Sequence, residues 1–276
     1  MDHILFSHQP YLVFSTSKYM KRMMGIYGIS HFYSFTADHD ANRILSLPDG
    51  AIDILFWSDP VRENFGANME GTFLKPTIIS FKNGYHYFGV RFLPGFMPRI
   101  VKDVAFHEIV GETISSEKIG IPESVIQNIG RCRDFVSQVR LFLEFYEIEN
   151  MVDTNKQSII NYAIDEITMS NGNQRIKELS EKIGYSKNYV NNVFKQELGI
   201  KIKDFCEIVR FQRTLEEMHN WKEKSERLDM AELAMEMGYY DQSHMIMEFK
   251  KLSSRTPGTY MQELVENNFT DRLFLF

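Results

Sequence analysis

The sequence of 276 residues lacks an apolar run of about eighteen residues, which excludes a transmembrane helix of ordinary length. Its N-terminus, with Asp2 and His3 ahead of Ile4, lacks the basic-then-apolar order of a secretory signal, so we expect a cytoplasmic protein. The two cysteines, Cys132 and Cys206, are too few for a disulfide framework and too far apart for a CxxC pair. Eight prolines and 16 glycines are fewer than a disordered or fibrous chain would have.

An overall excess of positive charge is also missing, since the net charge is −6. The charge is unevenly spread, however. Residues 1–155 carry −4 and residues 156–276 carry −2, but within the second part residues 175–214 carry +4 and residues 215–276 carry −5. One short basic block therefore lies in an otherwise acidic chain, and this distribution bears on possible partners more than the sum does.

Residues 1–110 have the pattern of short strands separated by turns. An Asn83-Gly84 pair between two apolar runs predicts a hairpin over residues 77–92 with a type I′ turn. Pro48-Asp49-Gly50 and Pro94-Gly95 mark two further turns. The length suits two domains, and the first, residues 1–152, is predicted to be a β-barrel or sandwich followed by a helix.

That helix is predicted over residues 123–150 from a stripe of apolar residues at steps of three and four. The stripe consists of Val125, Ile129, Cys132, Val136, Val139, Leu143 and Tyr146. It either packs on the barrel of its own chain or forms a coiled-coil seam with a second copy. In the second case Val136, Val139 and Leu143 form the seam of a homodimer.

An internal repeat occupies the domain predicted at residues 157–265. Residues 176–185 align with residues 230–239, and Phe194-Lys195 aligns with Phe249-Lys250. Each copy predicts a helix, a turn at glycine and a second helix, because glycine adopts the left-handed conformation that ends a helix. The predicted order is motif one (176–198), a linking helix (203–221), motif two (229–252) and a tail (266–276).

The second helix of motif one presents polar side chains opposite its apolar positions, after a predicted N-cap at Ser186. Its Asn188, Asn191 and Asn192 are suited to the edge of adenine in the major groove. The cations predicted to contact phosphates are Lys187, Lys195, Arg210, Arg213 and Lys250. A solvated polar face is the alternative, but the duplicated turn pattern favours binding to double-stranded DNA.

The C-terminal region resembles the AraC/XylS family of transcription regulators over about 100 residues. The matching residues are Ile176, Leu179, Gly184-Tyr185-Ser186, Val193-Phe194-Lys195, Gly199, Phe205, Arg210, Leu233-Ala234, Gly238-Tyr239, Asp241, Ser243, Phe249-Lys250 and Thr256-Pro257-Gly258-Thr259-Tyr260. The resemblance implies base reading by Asn188, Asn191 and Asn192 in motif one and near Gln242 and Ser243 in motif two. It also implies RNA polymerase as a partner.

Motif two departs from the pattern of that family. Ile246, Met247 and Glu248 stand where the family usually has polar or basic residues, and Ser254 stands where it usually has glycine. Ile and Met contact a thymine methyl but cannot donate to guanine, and Glu248 is expected to repel phosphate or at best to accept from cytosine. We therefore expect motif one to dominate binding.

The N-terminal region resembles a cupin-like effector domain through residues 47–56 and 88–95. This resemblance implies a β-barrel that senses a small molecule or pairs two chains. His86 and its neighbours do not form a His-x-His metal set, and no Gly-x-Ser-x-Gly elbow is present, so we expect no metal, no cofactor and no catalysis. The predicted class is α+β, with a cupin-like N-terminal barrel and an all-α C-terminal domain.

Aromatic residues are concentrated in the first 110 residues and suggest an effector site. If Phe88 faces inward, strand alternation directs Arg91 outward, which leaves Arg43 as the candidate cation beside Trp57 and Phe88. Such a site suits a molecule with an apolar body and an anionic end, whereas the alternative is a packed core. Two functions remain: a DNA-binding regulator that responds to an effector or to pairing, and a protein-interaction regulator with weak DNA binding.

Overall fold

The computed structural model describes residues 4–38, 43–98, 100–101, 104–150, 158–223 and 229–276. Its helices are α1 (Pro10–Phe14), α2 (Glu123–Arg131), α3 (Phe135–Asn150), α4 (Ser158–Met169), α5 (Ile176–Ile183), α6 (Lys187–Leu198), α7 (Ile202–Glu223), α8 (Met230–Glu236), α9 (Gln242–Ser253), α10 (Pro257–Glu266) and α11 (Phe269–Arg272). Its strands are β1 (Tyr19–Ile26), β2 (Ile29–Thr36), β3 (Ile44–Ser46), β4 (Asp53–Asp59), β5 (Asn64–Glu70), β6 (Thr77–Ile79), β7 (His86–Phe92), β8 (Thr113–Ser115) and β9 (Leu273–Leu275). The predicted α+β class is confirmed.

The N-terminal domain contains two sheets. Seven strands form a large sheet in the order β8-β5-β4-β7-β2-β1-β9, and β3 pairs with β6 in a small antiparallel sheet. The β1–β2 hairpin turns at Tyr27-Gly28, where both residues have positive φ, as a type I′ turn requires. A tyrosine at the first of these positions is unusual, and the sequence pattern did not identify this hairpin.

The hairpin predicted at Asn83-Gly84 is wrong. Gly84 has a φ of +76°, and the Tyr85 N–H donates to the Lys82 carbonyl at 3.1 Å, so a turn is present. However, β6 before it pairs with β3, and β7 after it pairs with β2 and β4. Two backbone hydrogen bonds to Ala37, at the end of β2, anchor the turn and direct the chain from the small sheet to the large one.

The large sheet is covered on both faces. One face, with Phe32, Phe56 and Phe88, packs its rings against Phe135 and Phe142 of α3. The other face carries Tyr33, Leu55, Trp57, Tyr87 and Arg91, which line a cavity shared with residues of β3 and β6. Side chains alternate along β7 as the sequence predicts, but the face expected to meet solvent lines this cavity instead.

The helix predicted over residues 123–150 is interrupted at residues 132–134. Cys132 has extended backbone angles, and Asp134 begins the next helix by accepting from the Ser137 N–H at 2.8 Å. This break shifts the phase of the apolar stripe. In α3 the core side is formed by Phe135, Val139, Phe142 and Tyr146, whereas Val136 is exposed.

The C-terminal domain contains the helix-turn-helix pattern twice, as predicted. Helices α5 and α6 form motif one, α8 and α9 form motif two, and α7 connects them. Gly184 and Gly238 stand at the two turns with φ values of +80° and +76°. Both values lie in the left-handed region that glycine occupies without steric cost.

The tail returns to the N-terminal domain. Strand β9 pairs in parallel with β1 at Tyr19–Leu273, Met20–Phe274 and Lys21–Leu275. The Arg272 guanidinium donates to the Phe14 and Thr16 carbonyl oxygens at 2.6 and 3.2 Å. The C-terminal residues thus complete one edge of the sheet and join the two domains.

Candidate nucleic-acid interface and effector cavity

Helix α6 presents a polar face that its end residues hold in place. Ser186 is its N-cap, with its hydroxyl accepting from the Tyr189 N–H at 3.2 Å, which confirms the predicted cap. Asn188 and Asn192 are exposed and Asn191 is half-buried, as befits the side of α6 away from the buried Val190 and Phe194. The three asparagines remain the predicted base-reading residues of motif one.

Of the cations predicted to contact phosphates, Lys187 and Lys195 are exposed near the two ends of α6, and Lys250 is exposed near the end of α9. Arg213 instead pairs with Glu216 at 2.7 Å, and its side chain is only 12 % exposed. Its guanidinium lies near the N-terminal domain, since burial and the neighbouring charges of His219, Lys21 and Arg213 lower the pKa of His8. This placement disfavours a phosphate contact by Arg213.

Arg210 also occupies a packed position rather than an open one. Its Nε and Nη2 atoms donate to the two carboxylate oxygens of Glu248 at 3.0 Å each, and its Nη1 donates to Asn173 at 3.1 Å. The guanidinium lies 5.0 Å from the centre of the Tyr239 ring. Burial opposes the charged form of Arg210, but the bonds and charge of Glu248 prevail and raise its pKa. Arg210 is packed rather than open because α7, the helix that carries it, lies between the two motifs.

Glu248 is therefore buried, contrary to the expectation that it repels phosphate or accepts from cytosine. Its side chain is 6 % exposed and is held by the arginine of α7. Gln242 and Ser243 are exposed at the start of α9, after the N-cap Asp241, and Met247 is exposed farther along the helix. The outer face of motif two thus has fewer polar side chains than that of motif one.

The sequence pattern does not identify the stacked pair of Tyr185 and Tyr189 at the turn of motif one. The ring of Tyr185 stacks on that of Tyr189 with centroids 4.7 Å apart, and about half of each side chain is exposed. The equivalent residue of motif two, Tyr239, is buried and bonds to Thr214. The alignment of the two copies could have identified this pair, but the difference in burial depends on α7.

The residues predicted for the dimer seam do not share one exposed surface. Val136 is exposed, Leu143 is half-buried, and Val139 is buried in the core of its own domain. A charge at Val139 would therefore disturb packing within the chain. Of the three residues, Val136 is the one at which a charge would probe association.

The residues predicted for an effector site are also separated. Trp57 lines the cavity of about 330 Å³ between the two sheets, whereas Phe88 packs on the opposite face of the large sheet. Arg43 is exposed and is not part of the lining. The cations that line the cavity are Lys82 and Arg91, although strand alternation predicts that Arg91 points outward.

The guanidinium of Arg91 is shared by two carboxylates. Its Nε donates to Asp53 at 2.8 Å, its Nη2 donates to the second oxygen of Asp53, and its Nη1 donates to Asp49 at 2.9 Å. Burial lowers the pKa of Arg91, but the charges of Asp53 and Asp49 outweigh it and raise that pKa. Burial raises the pKa of Asp49, and the charge of Arg91 opposes this shift.

The cavity is connected to the linking helix through residues 48–51. Asp49 lines the cavity, while the neighbouring Pro48 carbonyl accepts from the Gln212 side chain of α7 at 2.9 Å. The same Gln212 accepts from the His8 N–H at 2.7 Å. A Cβ on Gly50 would lie 3.0 Å from the Phe205 ring of α7. A shift of this turn would therefore change its contacts with Gln212 and Phe205 of α7.

Two further observations concern other kinds of site. In the ranges that the structure describes, no group of three His, Cys, Asp or Glu side chains is arranged to hold a metal ion. No helix within those ranges is both long and apolar enough to cross a membrane.

Comparisons with known proteins concern mainly the C-terminal region. Residues 179–263 match the family described as helix-turn-helix domain. YtdP of Bacillus subtilis (strain 168), an uncharacterized helix-turn-helix-type transcriptional regulator, is 30 % identical over 90 residues. That stretch is 32 % of this chain but 11 % of the relative, so the chain spans only a small part of it.

Solved structures of similar proteins include domains and whole chains. The C-terminal domain of AraT, a response regulator from Geobacillus stearothermophilus, is 24 % identical over 40 % of this chain and 88 % of that chain, with a TM-score of 0.35. ToxT from Vibrio cholerae is 10 % identical over 84 % of this chain and 96 % of that chain, with a TM-score of 0.43. The family match over residues 179–263, the match to YtdP and the duplicated motif agree with one another. The C-terminal part of this chain is an AraC-type helix-turn-helix domain.

Proposed function

We propose that this protein is a sequence-specific DNA-binding transcription regulator in which motif one makes the dominant base contacts. The observation that carries the proposal is the polar face of α6, with two exposed asparagines and the half-buried Asn191 between Lys187 and Lys195. Asparagine pairs in bidentate fashion with adenine, and the two lysines are placed to neutralise phosphates on either side. The stacked Tyr185 and Tyr189 add two exposed hydroxyl-bearing rings at the start of the same helix.

The experiment is a selection of binding sites from random double-stranded DNA, followed by titration of variants on the selected site. Asn191→Ala is expected to cost about 1–3 kcal/mol of binding free energy and to relax base preference at one position. The matched changes in motif two are Ile246→Ala, at the equivalent position of the repeat, and Met247→Ala, and both are expected to cost less. Thermal melting of each variant serves as the control for folding.

Equal losses from the two motifs would contradict the dominance of motif one. Failure to select any sequence, with a folded protein, would favour the second candidate function, a regulator that acts by protein contacts. One observation supports that candidate: Met235, Tyr240 and Met247 are large apolar side chains exposed on motif two. Single exposed apolar side chains occur on many proteins, so these three residues indicate an interface only if they form one contiguous patch.

We further propose that the N-terminal cavity binds a small effector and biases DNA binding through α7. The support is the cavity of about 330 Å³, a volume at the small end of ligand pockets, and the contact of residues 48–51 with α7. A ligand that repositions Asp49 would act on a turn that Gln212 and Phe205 hold. Homodimer formation through Val136 and a contact with RNA polymerase remain proposals, resting on the apolar stripe and on the family resemblance.

A further inference from the structure

The charge of the cavity between the two sheets differs from that of a site for anions. Arg91 is its most deeply placed cation, and all three of its side-chain nitrogens are engaged by Asp49 and Asp53. Two carboxylates against one guanidinium leave this group with a net negative charge. An incoming carboxylate would have to displace one of these acids, which buried ion pairs resist strongly.

A third acid, Glu70, lines the same cavity. It lies opposite Asp53 in the β4–β5 ladder and accepts from the Thr113 hydroxyl at 2.6 Å. Burial raises the pKa of the Glu70 carboxyl, and the charge of Asp53 raises that pKa further. A positive group placed between Glu70 and Asp53 would reverse the effect of this neighbouring charge and hold Glu70 ionised.

The aromatic wall of the cavity already holds a positive charge. The Lys82 ammonium lies 5.2 Å from the centre of the Tyr85 ring and 5.7 Å from that of Trp57, and all three residues line the cavity. Ring faces attract cations because their π electrons make them negative. Deeper in the cavity, the Arg91 guanidinium lies 5.8 Å from the centre of the Tyr33 ring.

An unpartnered polar group points to a ligand in the same place. Thr72 lines the cavity and is 2 % exposed, and its hydroxyl has no hydrogen-bond partner among the described residues. A buried hydroxyl without a partner costs free energy, because it has lost its bonds to water. A ligand with an N–H or O–H group would supply the missing bond.

We propose that the effector is a small organic cation, an ammonium group on an apolar or aromatic body. The ammonium binds beside Glu70 and Asp53, with Thr72 as a further hydrogen-bond partner, and the body packs against Trp57 and the apolar lining. This assignment rests on the proposed effector-binding function and names the ligand class for that site. It replaces the anionic class expected from Arg43, which does not reach the cavity.

The test uses the full chain and three probe series, namely amines, alcohols and carboxylates, that share their bodies and differ in charge. The bodies run from methyl to indolyl, and 2-phenylethylamine, 2-phenylethanol and phenylacetate form one matched set. Binding is measured by calorimetry and by tryptophan fluorescence, with Trp57→Phe as the control that removes the cavity signal. The best amine is expected to bind at least about tenfold more tightly than its carboxylate, with the alcohol between them.

Glu70→Gln is the matched variant, because it keeps the shape of the side chain and removes its charge. It is expected to weaken the best amine about fivefold or more and to leave the alcohol within about twofold. Tighter binding of carboxylates than of amines overturns the proposed class but leaves an effector site in place. Failure of every amine to bind overturns the proposal, while the DNA-binding function is judged separately by selection on DNA. Thermal melting shows that each variant is folded.

Discussion

The two helix-turn-helix motifs follow one pattern but have different surroundings. Their second helices, α6 and α9, both contain 12 residues and begin at a side-chain N-cap. At equivalent positions, however, Val193 of motif one is replaced by Glu248 of motif two, and Asn192 is replaced by Met247. Motif two is tied to α7 by an ion pair, whereas the polar face of motif one stays open. A duplicated motif can thus keep its backbone while one copy becomes part of the scaffold.

The largest difference between the motifs is expected from Arg210→Ala. The change leaves Glu248 buried without its partner, and breaking a buried ion pair in this way costs about 3–5 kcal/mol of unfolding free energy. Urea unfolding of the full chain measures the loss. Lys195→Ala, which removes an exposed lysine of motif one, is the control and is expected to stay within about 0.5 kcal/mol.

A double variant separates the ion pair from other effects of Arg210. Replacing Arg210 and Glu248 together by methionine is expected to recover much of the lost stability, because no unpaired charge remains. If Arg210→Ala instead left stability unchanged and weakened binding to every DNA sequence, Arg210 would be a phosphate contact after all.

The next largest effect on the free energy of unfolding is expected at the C-terminal ends of α6 and α9. Gly199 and Ser254 occupy equivalent positions, with φ values of +67° and +58°. A side chain in this left-handed region costs about 1–2 kcal/mol, so Gly199→Ala is expected to destabilise the chain by at least that amount. Its Cβ would also lie 3.0 Å from His107 Cα.

At the end of α9 the opposite change is favourable. Ser254→Gly removes the cost of the left-handed conformation and is expected to stabilise the chain by up to about 1 kcal/mol. Both variants are compared by denaturant midpoints with the unsubstituted chain. Destabilisation by Ser254→Gly would show that the serine side chain contributes bonds that outweigh its backbone strain.

The features that the sequence predicted are those determined by neighbouring residues. The glycine turns at Gly184 and Gly238 and the N-cap at Ser186 each depend on a few residues around them, and all are confirmed. The predicted helix stripe depended on local periodicity too, but Asp134 offered a competing helix start and broke it. Local signals are therefore reliable where no second local signal competes.

The features that could not be predicted depend on distant partners. The pattern around Asn83-Gly84 indicates a turn, yet it does not say that β6 pairs with β3. Alternation correctly separates Arg91 from Phe88, but only the position of the small sheet makes the face of Arg91 a cavity. In the same way, the charge of Arg210 predicted a phosphate contact. Its actual partner, Glu248, lies 38 residues away in sequence, so local sequence does not reveal the ion pair.

The smallest expected difference concerns the exposed lysines at equivalent positions of the two motifs, Lys195 and Lys250. A lysine that contacts phosphate releases a counterion, so its removal lowers the slope of log K against log salt by about 0.9. Lys195→Ala is expected to show this full change on the selected DNA site, since α6 has the open polar face. Lys250→Ala is expected to change the slope by less, because motif two offers fewer polar groups to hold its helix against the groove.

The measurement is a set of binding titrations between about 50 and 200 mM salt, the range over which phosphate contacts dominate changes in affinity. Equal changes in slope would show that both motifs dock on DNA with similar closeness, and would confine their difference to base reading.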